Sequence, residues 1–304
     1  MPPTEDEIER PPLPSDHDAQ PREWTTPCGA ELRSLRTDDD YEQCLLLQRA
    51  TWGDDFRELV PPTILAISQK VGGVVAGAFE NDEMLAFVYG LSGFRDGERA
   101  HWSHMLAVTE AARGRGLGKA LKAYQRALLE PHDVAAMYWT FDPLIARNAS
   151  LNLKALGARP VEYVRDMYGD DTGSELHSGL GTDRFVVRWD CRGGGPAPGW
   201  ADGPSEAPAA DPATGGVVHV HDARRWVEIP ADIDELKSTA PELAREWRNA
   251  TRQALETALS RGNCVGIARL KAHSPTEGSD SSTVTMPVGL PIWRYFYVFE
   301  DRTP

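Results

Sequence analysis

The chain has 304 residues, 41% hydrophobic and 26% charged, which is enough apolar material for the packed core of one large domain or two smaller ones. Its formal net charge of −14 argues against nucleic acid and anionic lipid as partners, so an anionic ligand must be held by a local device. No run reaches the roughly 18 apolar residues of a spanning helix, and Cys28, Cys44, Cys191 and Cys264 lie far apart without zinc spacing, as expected of reduced thiols in a metal-free cytoplasmic protein.

Residues 1–28 are rich in proline and acids, with no apolar h-region, and read as a solvated tail and not as a secretory signal. Residues 29–190 then alternate strand and helix signals. "AELRSLR" reads as a strand, "TDDDYEQCLLLQRATWG" as a helix capped by Thr37, and "PPTILAISQK" as a helix opened by prolines. "GGVVAGAFE" and "EMLAFVYGLSG" form a hairpin about Asn81-Asp82, and "RAHWSHMLAV" is a longer strand. A helix follows with Leu117, Leu121, Tyr124 and Leu128 on one stripe, ended at Pro131. "AAMYWTF" is a buried strand, "ARNASLNLKALG" a helix ended by Gly157, and "RPVEYVRDMYG" and "DRFVVRW" are strands. The order β-α-α-β-β-β-α-β-α-β-β predicts an α/β layered fold on a mixed sheet.

Residues 191–216 read as a Gly/Pro/Ala linker and 271–289 as a loop. Between and after them, residues 217–304 form a second, smaller α+β block. Its strands are "RRWVEIP", "CVGIARL" and "RYFYVFE", and its long helix carries Leu243, Trp247, Ala250, Ala254 and Ala258 on the expected apolar stripe. Too small to bury much core alone, it is expected to dock on the first block.

Gly114, Gly116 and Gly118 crowd the start of the helix after the long strand. A P-loop aligned on Gly118-Lys119 would place Arg113 at its first glycine and Ala120 at its hydroxyl, and a dinucleotide fingerprint fails at Lys119 or Leu121. Arg-x-x-Gly-x-Gly, Arg113 to Gly118, does fit an anion nest. Glycines let successive N–H groups turn to one point, the helix start adds partial positive charge, and Arg113, Arg115 and Lys119 add more. A ligand-free glycine turn is the plainer alternative.

"HMLAVTEAARGRGLGKALKAYQ" and the strand order around it resemble the GNAT superfamily of acyl-CoA-dependent N-acyltransferases over residues 31–190. The resemblance implies a mostly antiparallel mixed sheet flanked by helices. The backbone of Arg113, Gly114, Arg115, Gly116, Leu117, Gly118 and Lys119 would then cradle the CoA pyrophosphate. Leu106, Ala107 and Val108 would run beside pantetheine, where a backbone N–H would polarise the thioester carbonyl. "WTFDPL", "NASLNLKALGA" and the C-terminal segment further resemble a bacterial subfamily with a C-terminal extension, some of whose members are linked with amino-acid N-succinylation. The implied reaction moves an acyl group from acetyl-CoA, succinyl-CoA or another acyl-CoA to the amine of a small metabolite. A non-catalytic acyl-CoA-binding module is the alternative, and the reading accommodates a homodimer.

Many GNAT members use a tyrosine to protonate the departing thiolate; Leu153 stands at that position, leaving water, Tyr163 or Tyr168, or departure of the free thiolate. His104 is the candidate base, placed by alternation on one strand face with Leu106 and Val108; otherwise it orders the sheet. His101 falls on the other face and reads as structural. Asp142, at a strand end, either binds the amine or orients His104, or caps the next helix. Asn152 and Asn148, four apart on one helix face, are candidates to line the same cleft, or are ordinary caps and surface amides; Arg147, Arg165 and Arg184 are candidates for an acceptor or acyl carboxylate, or are solvated surface. No cysteine stands near the motif in sequence, which disfavours a ping-pong route.

Overall fold

The computed structural model of the protein describes residues 23–169, 173, 179–192, 217–221, 224–271 and 293–302. Most of the expected tail, the linker from 193 onward and the loop after Lys271 lie outside the described residues.

Local signals start the elements. The Thr37 side chain accepts from the Asp40 N–H while the Asp40 carboxylate accepts from the Thr37 N–H, a reciprocal cap worth about 1 kcal/mol that opens α1 (Asp38–Trp52). Pro61 and Pro62 open α2 (Pro62–Lys70), where a missing N–H is no loss. Asn81 and Asp82 hold positive φ of 51° and 64°, as a tight hairpin turn requires, and join β3 (Val74–Glu80) to β4 (Glu83–Arg95). β5 (Glu98–Val108) returns beside β4 and leads through a short turn into α3 (Leu117–Leu129).

These strands belong to one eight-stranded sheet, completed by β1 (Trp24–Thr25), β2 (Glu31–Ser34), β6 (Ala136–Phe141), β7 (Arg159–Val164) and β8 (Arg184–Asp190). Its order is β1-β2-β3-β4-β5-β6-β8-β7, and every pairing is antiparallel except β5 with β6. The element order is the one read from the sequence, with β1 added. Trp24 pairs with Leu32 and packs edge-on to Tyr124 at 5.3 Å, so the sheet already begins inside the stretch assigned to the tail.

Alternation gives the sheet two cores. On one face Ala86, Val88, Met137, Trp139 and Phe141 pack with Leu117, Leu121 and Tyr124 of α3. On the other, Phe87 and Tyr89 pack with Leu47 of α1 and Leu65 of α2. Between β6 and β7, α4 (Ala146–Ala149) widens into a π-turn over Ser150–Ala155, and Gly157 follows at φ 72°.

The C-terminal block has β9 (Val218–His221), β10 (Arg224–Ile229), α5 (Ile233–Thr239), α6 (Pro241–Arg261), β11 (Gly262–Lys271) and β12 (Trp293–Asp301), with its strands in the order β11-β12-β10-β9. Val227, Ile229, Tyr297 and Phe299 join the same apolar cluster as Phe141 and Phe185, and the Phe185 and Tyr297 rings meet edge-on at 5.2 Å. The Tyr297 hydroxyl donates to the Pro143 carbonyl at 2.8 Å.

The buried face of α6 differs from the expected stripe. Ala244, Arg248, Thr251, Leu255 and Ala258 are buried, while Leu243, Trp247, Ala250 and Ala254 are only half-buried. Ala258 is buried as expected, but from Ala244 to Leu255 the face is turned by one residue because Arg248 finds partners inside: Nε donates to the Leu180 carbonyl and Nη2 to Asp142. Among the described residues, no helix is long and apolar enough to cross a membrane.

Candidate functional site

The parallel ladder between β5 and β6 is short. It runs over Ala100↔Ala136, His101↔Met137 and Trp102↔Tyr138, and the described strands then diverge. β5 goes on to Val108 paired only with β4, and β6 to Phe141 paired only with β8. Past Trp102, the β5 edge therefore turns backbone N–H and C=O groups toward a wedge and not toward a neighbouring strand. Thr109, the residue that follows β5, carries a buried hydroxyl without a hydrogen-bond partner among the described residues.

The glycine turn closes the same end. Gly114 and Gly116 hold φ of 81° and 80°, which L side chains rarely adopt, and no atom lies within 4 Å of where either Cβ would be. Gly116 caps α3 without a side-chain acceptor; the first intrahelical bond is from the Ala120 N–H to the Gly116 carbonyl at 3.1 Å. The N–H groups of Leu117, Gly118 and Lys119 thus point out of the helix start, an anion-binding arrangement. Arg113 and Lys119 are exposed beside it. Arg115 is committed elsewhere, to Glu80 at 2.7 Å and the Cys28 carbonyl at 3.3 Å. That contact also corrects the sequence reading of the cysteines: Cys28 lies next to the motif in space. Its thiol pKa is lowered by hydrogen bonding to Thr26.

A buried polar chain pins the vertex of the wedge. Lys122 Nζ of α3 donates to Ser103 Oγ at 2.7 Å, which donates to Gln125 Oε1 at 2.7 Å. Gln125 Nε2 lies 2.9 Å from His101 Nε2, His101 Nδ1 2.9 Å from Ser92 Oγ, and the Ser92 hydroxyl donates to the Gly72 carbonyl at 2.6 Å. An amide nitrogen only donates, so His101 accepts at Nε2 and carries its proton on Nδ1. Burial, with the Lys122 amine nearby, pushes the His101 pKa down to about 3, and burial drives the Lys122 pKa well below 10.5. The Lys122 amine lies 4.0 Å from the Trp139 ring centroid. The sequence singled out His101 as structural; its partners Ser103, Lys122 and Gln125 were missed, although two polar residues inside an apolar helix stripe were the available sign.

His104 does not share a face with Leu106 and Val108. The register slips between Tyr89↔Met105 and Gly90↔Ser103, so His104 is an extra residue in a β-bulge. Leu106 and Val108 pack with the α3 core, whereas the His104 ring stands edge-on to Tyr89 at 6.0 Å, on the α1/α2 face. Burial lowers its pKa and Glu58 works against that. His104 thus stands beside the vertex as a neutral imidazole at pH 7.

The other candidates scatter. Asn152 is buried and accepts from Trp139 Nε1 at 2.9 Å, so its amide oxygen supports the core. Asn148 stays half-buried on α4. Asp142 accepts from the Leu144 N–H at 2.9 Å and from Arg248 Nη2 at 2.6 Å, so it caps the following turn and does not orient His104. Arg147 pairs with Asp234 at 3.0 Å and Arg165 with Glu256, both serving the contact with the C-terminal block. Arg184 is buried, its guanidinium 5.2 Å from the Tyr168 ring centroid. Leu153 is buried. Of the two tyrosines, Tyr163 donates to Asp183 at 2.6 Å and its pKa is raised, chiefly by burial. Tyr168 hydrogen-bonds Thr140 Oγ1 at 2.9 Å. Thr140 and Tyr138 alternate with core residues of β6, so they share the face that carries His104.

No protein-family model and no curated protein matches the chain. Several solved structures are similar to it. The ribosomal-protein-S18-alanine N-acetyltransferase from Escherichia coli is 20% identical over 54% of this chain and 95% of its own, with a TM-score of 0.41. An N-acetyltransferase from Staphylococcus aureus Mu50 is 14% identical over 54% of this chain and 99% of its own, with a TM-score of 0.44. Arabidopsis thaliana Naa50, in complex with a bisubstrate analogue, is 17% identical over 52% of this chain and 97% of its own, with a TM-score of 0.41.

Proposed function

We propose that the protein is an acyl-CoA-dependent N-acyltransferase of the GNAT type, moving an acetyl or succinyl group from CoA to the amine of a small metabolite by direct attack. The observation that carries this reading is the wedge between β5 and β6, opening past Trp102 and Tyr138 toward the glycine turn at the start of α3. An anion cradle at the mouth and free strand-edge amides along one wall suit a pyrophosphate followed by the amide-bearing pantetheine arm.

In this reading the amine nitrogen forms the new N–C bond as the C–S bond breaks. His104 takes the ammonium proton, directly or through one water, and a β5 N–H near Met105 stabilises the carbonyl oxygen. Tyr168, hydrogen-bonded to Thr140 of the β6 wall, gives a proton to the thiolate and recovers one from the newly acylated nitrogen. Leu153 at the usual tyrosine position favours a second reading, a non-catalytic acyl-CoA-binding module. Free-thiol release from acetyl-CoA and succinyl-CoA with a panel of amines separates the two. Acceptor-dependent thiol with a matching amide mass is expected; saturable CoA binding without thiol release identifies the binding module, and no CoA binding ends both.

A further inference from the structure

A second cleft, of about 190 Å³, lies where α6 meets the turn before β8, lined by Leu180, Gly181, Arg245, Arg248, Asn249 and Arg252. Arg248 is 3% exposed, and among the described residues its buried Nη1 has no hydrogen-bond partner. Its other nitrogens are used, Nε on the Leu180 carbonyl at 3.1 Å and Nη2 on Asp142 at 2.6 Å. An unmade bond on a buried guanidinium is destabilising, and docking of α6 does not require it. One turn further on, Arg252 already ties α6 to Asp183 at 2.6 and 2.7 Å and to Asp166 at 3.2 Å. Arg184, Arg248 and Arg252 face Asp142, Asp166 and Asp183, so charge here is balanced; geometry alone leaves Arg248 short of an acceptor. Arg245, at the exposed rim, pairs among the described residues with Glu242 of its own helix.

The place of the cleft gives it a use. Asp142, which Arg248 grips, directly follows Phe141, the last residue of the β6 wall of the wedge. We propose that this cleft binds a carboxylate of one of the two reactants, with Arg248 as the buried anchor and Arg245 and Asn249 at the rim; this rests on the acyltransferase reading. The source is either an amino-acid acceptor or a dicarboxylic acyl chain such as succinyl. A planar guanidinium donor aimed at a carboxylate is the pairing that discriminates against an uncharged isostere.

The test uses the full chain. Thiol release is measured with acetyl-CoA and with succinyl-CoA against matched acceptors, an amino acid and its carboxamide. If the acceptor supplies the carboxylate, kcat/KM with acetyl-CoA is expected to be about ten-fold or more higher for the acid. If the acyl chain supplies it, the preference falls on succinyl-CoA with either acceptor. Arg248→Lys keeps a cation beside Asp142 but loses the forked donor, and should erase the preference through KM. Should that variant not fold, Arg245→Gln at the rim should reduce it in the same direction. Wild-type protein with neither preference, or folded variants that keep it, overturn the proposal. If no pair releases thiol, the acyltransferase reading fails by itself. Calorimetric titration with the amino acid and with succinate then decides the cleft: saturable binding weakened in the variants supports it, and no binding of either probe overturns it.

Discussion

Gly90 on β4 and His101 on β5 approach so closely that a Cβ on Gly90 would lie 2.3 Å from His101 Nε2. The same Cβ would meet the Trp102 carbonyl at 2.7 Å and Gln125 Nε2 at 2.9 Å, and a backbone oxygen cannot swing away. Gly90→Ala is therefore expected to destabilise the fold by roughly 1–3 kcal/mol through overpacking. Urea denaturation checks this; an unchanged midpoint would show that the vertex is loosely packed.

The same polar chain makes stability depend on pH. In the fold His101 stays neutral down to about pH 3, while the unfolded residue takes a proton near 6.5. The unfolded chain binds more protons between those values, so stability falls as the pH drops through that window. Lys122, its pKa lowered by burial from 10.5, contributes in the same sense on the alkaline side, with stability rising as pH approaches 10.5. Denaturation curves of wild type and Lys122→Met should show this alkaline rise only in the wild type. Parallel curves would mean that Lys122 is charged in the fold.

At the glycine turn, Gly116→Val places a side chain in open space but at φ 80°, a strain of about 1–2 kcal/mol. The valine would crowd the outward N–H groups, and CoA affinity is expected to fall roughly ten-fold or more. Gly118→Ala is the control, because its Cβ makes ordinary contact with Leu106 Cδ2 at 3.5 Å and its N–H is kept. Calorimetry should find the alanine variant close to wild type. Equal loss in both, or in neither, would detach the glycines from CoA.

His104→Gln keeps a polar side chain in the bulge and removes the base. A loss of roughly 10²-fold in kcat/KM is expected at pH 7. Because burial lowers the His104 pKa, the acidic limb of the wild-type pH–rate profile should lie below 6.5 and vanish in the variant. An unchanged profile would return His104 to an ordering role against Tyr89.

Apart from β1, β9 and α5, which were not read, the strands, helices and glycine turn were legible because their signals are local: the Thr37 cap, the Asn81-Asp82 turn, and apolar periods of two or of three to four. What was hidden depended on partners distant in sequence. Alternation put His104 with Leu106 until the slip at Gly90 and Ser103 shifted the face, and one extra residue leaves no mark in composition. The α6 stripe was read from Leu243 and Trp247 because apolar residues count as core; Arg248 is buried only because Leu180 and Asp142 receive it. Asn152 looked like a cleft residue until Trp139 claimed its amide oxygen. Polar residues at core spacing, such as Lys122, Gln125 and Arg248, were the signal that periodicity passed over.

Amide hydrogen exchange on the full chain, with and without CoA, tests most directly whether the β5/β6 wedge and the glycine turn seat an acyl-CoA. Binding is expected to slow exchange at Leu117, Gly118 and Lys119 and along 104–108 of β5, while the β10–β12 ladder stays unchanged. Saturable CoA binding that leaves both segments unprotected would contradict the assignment.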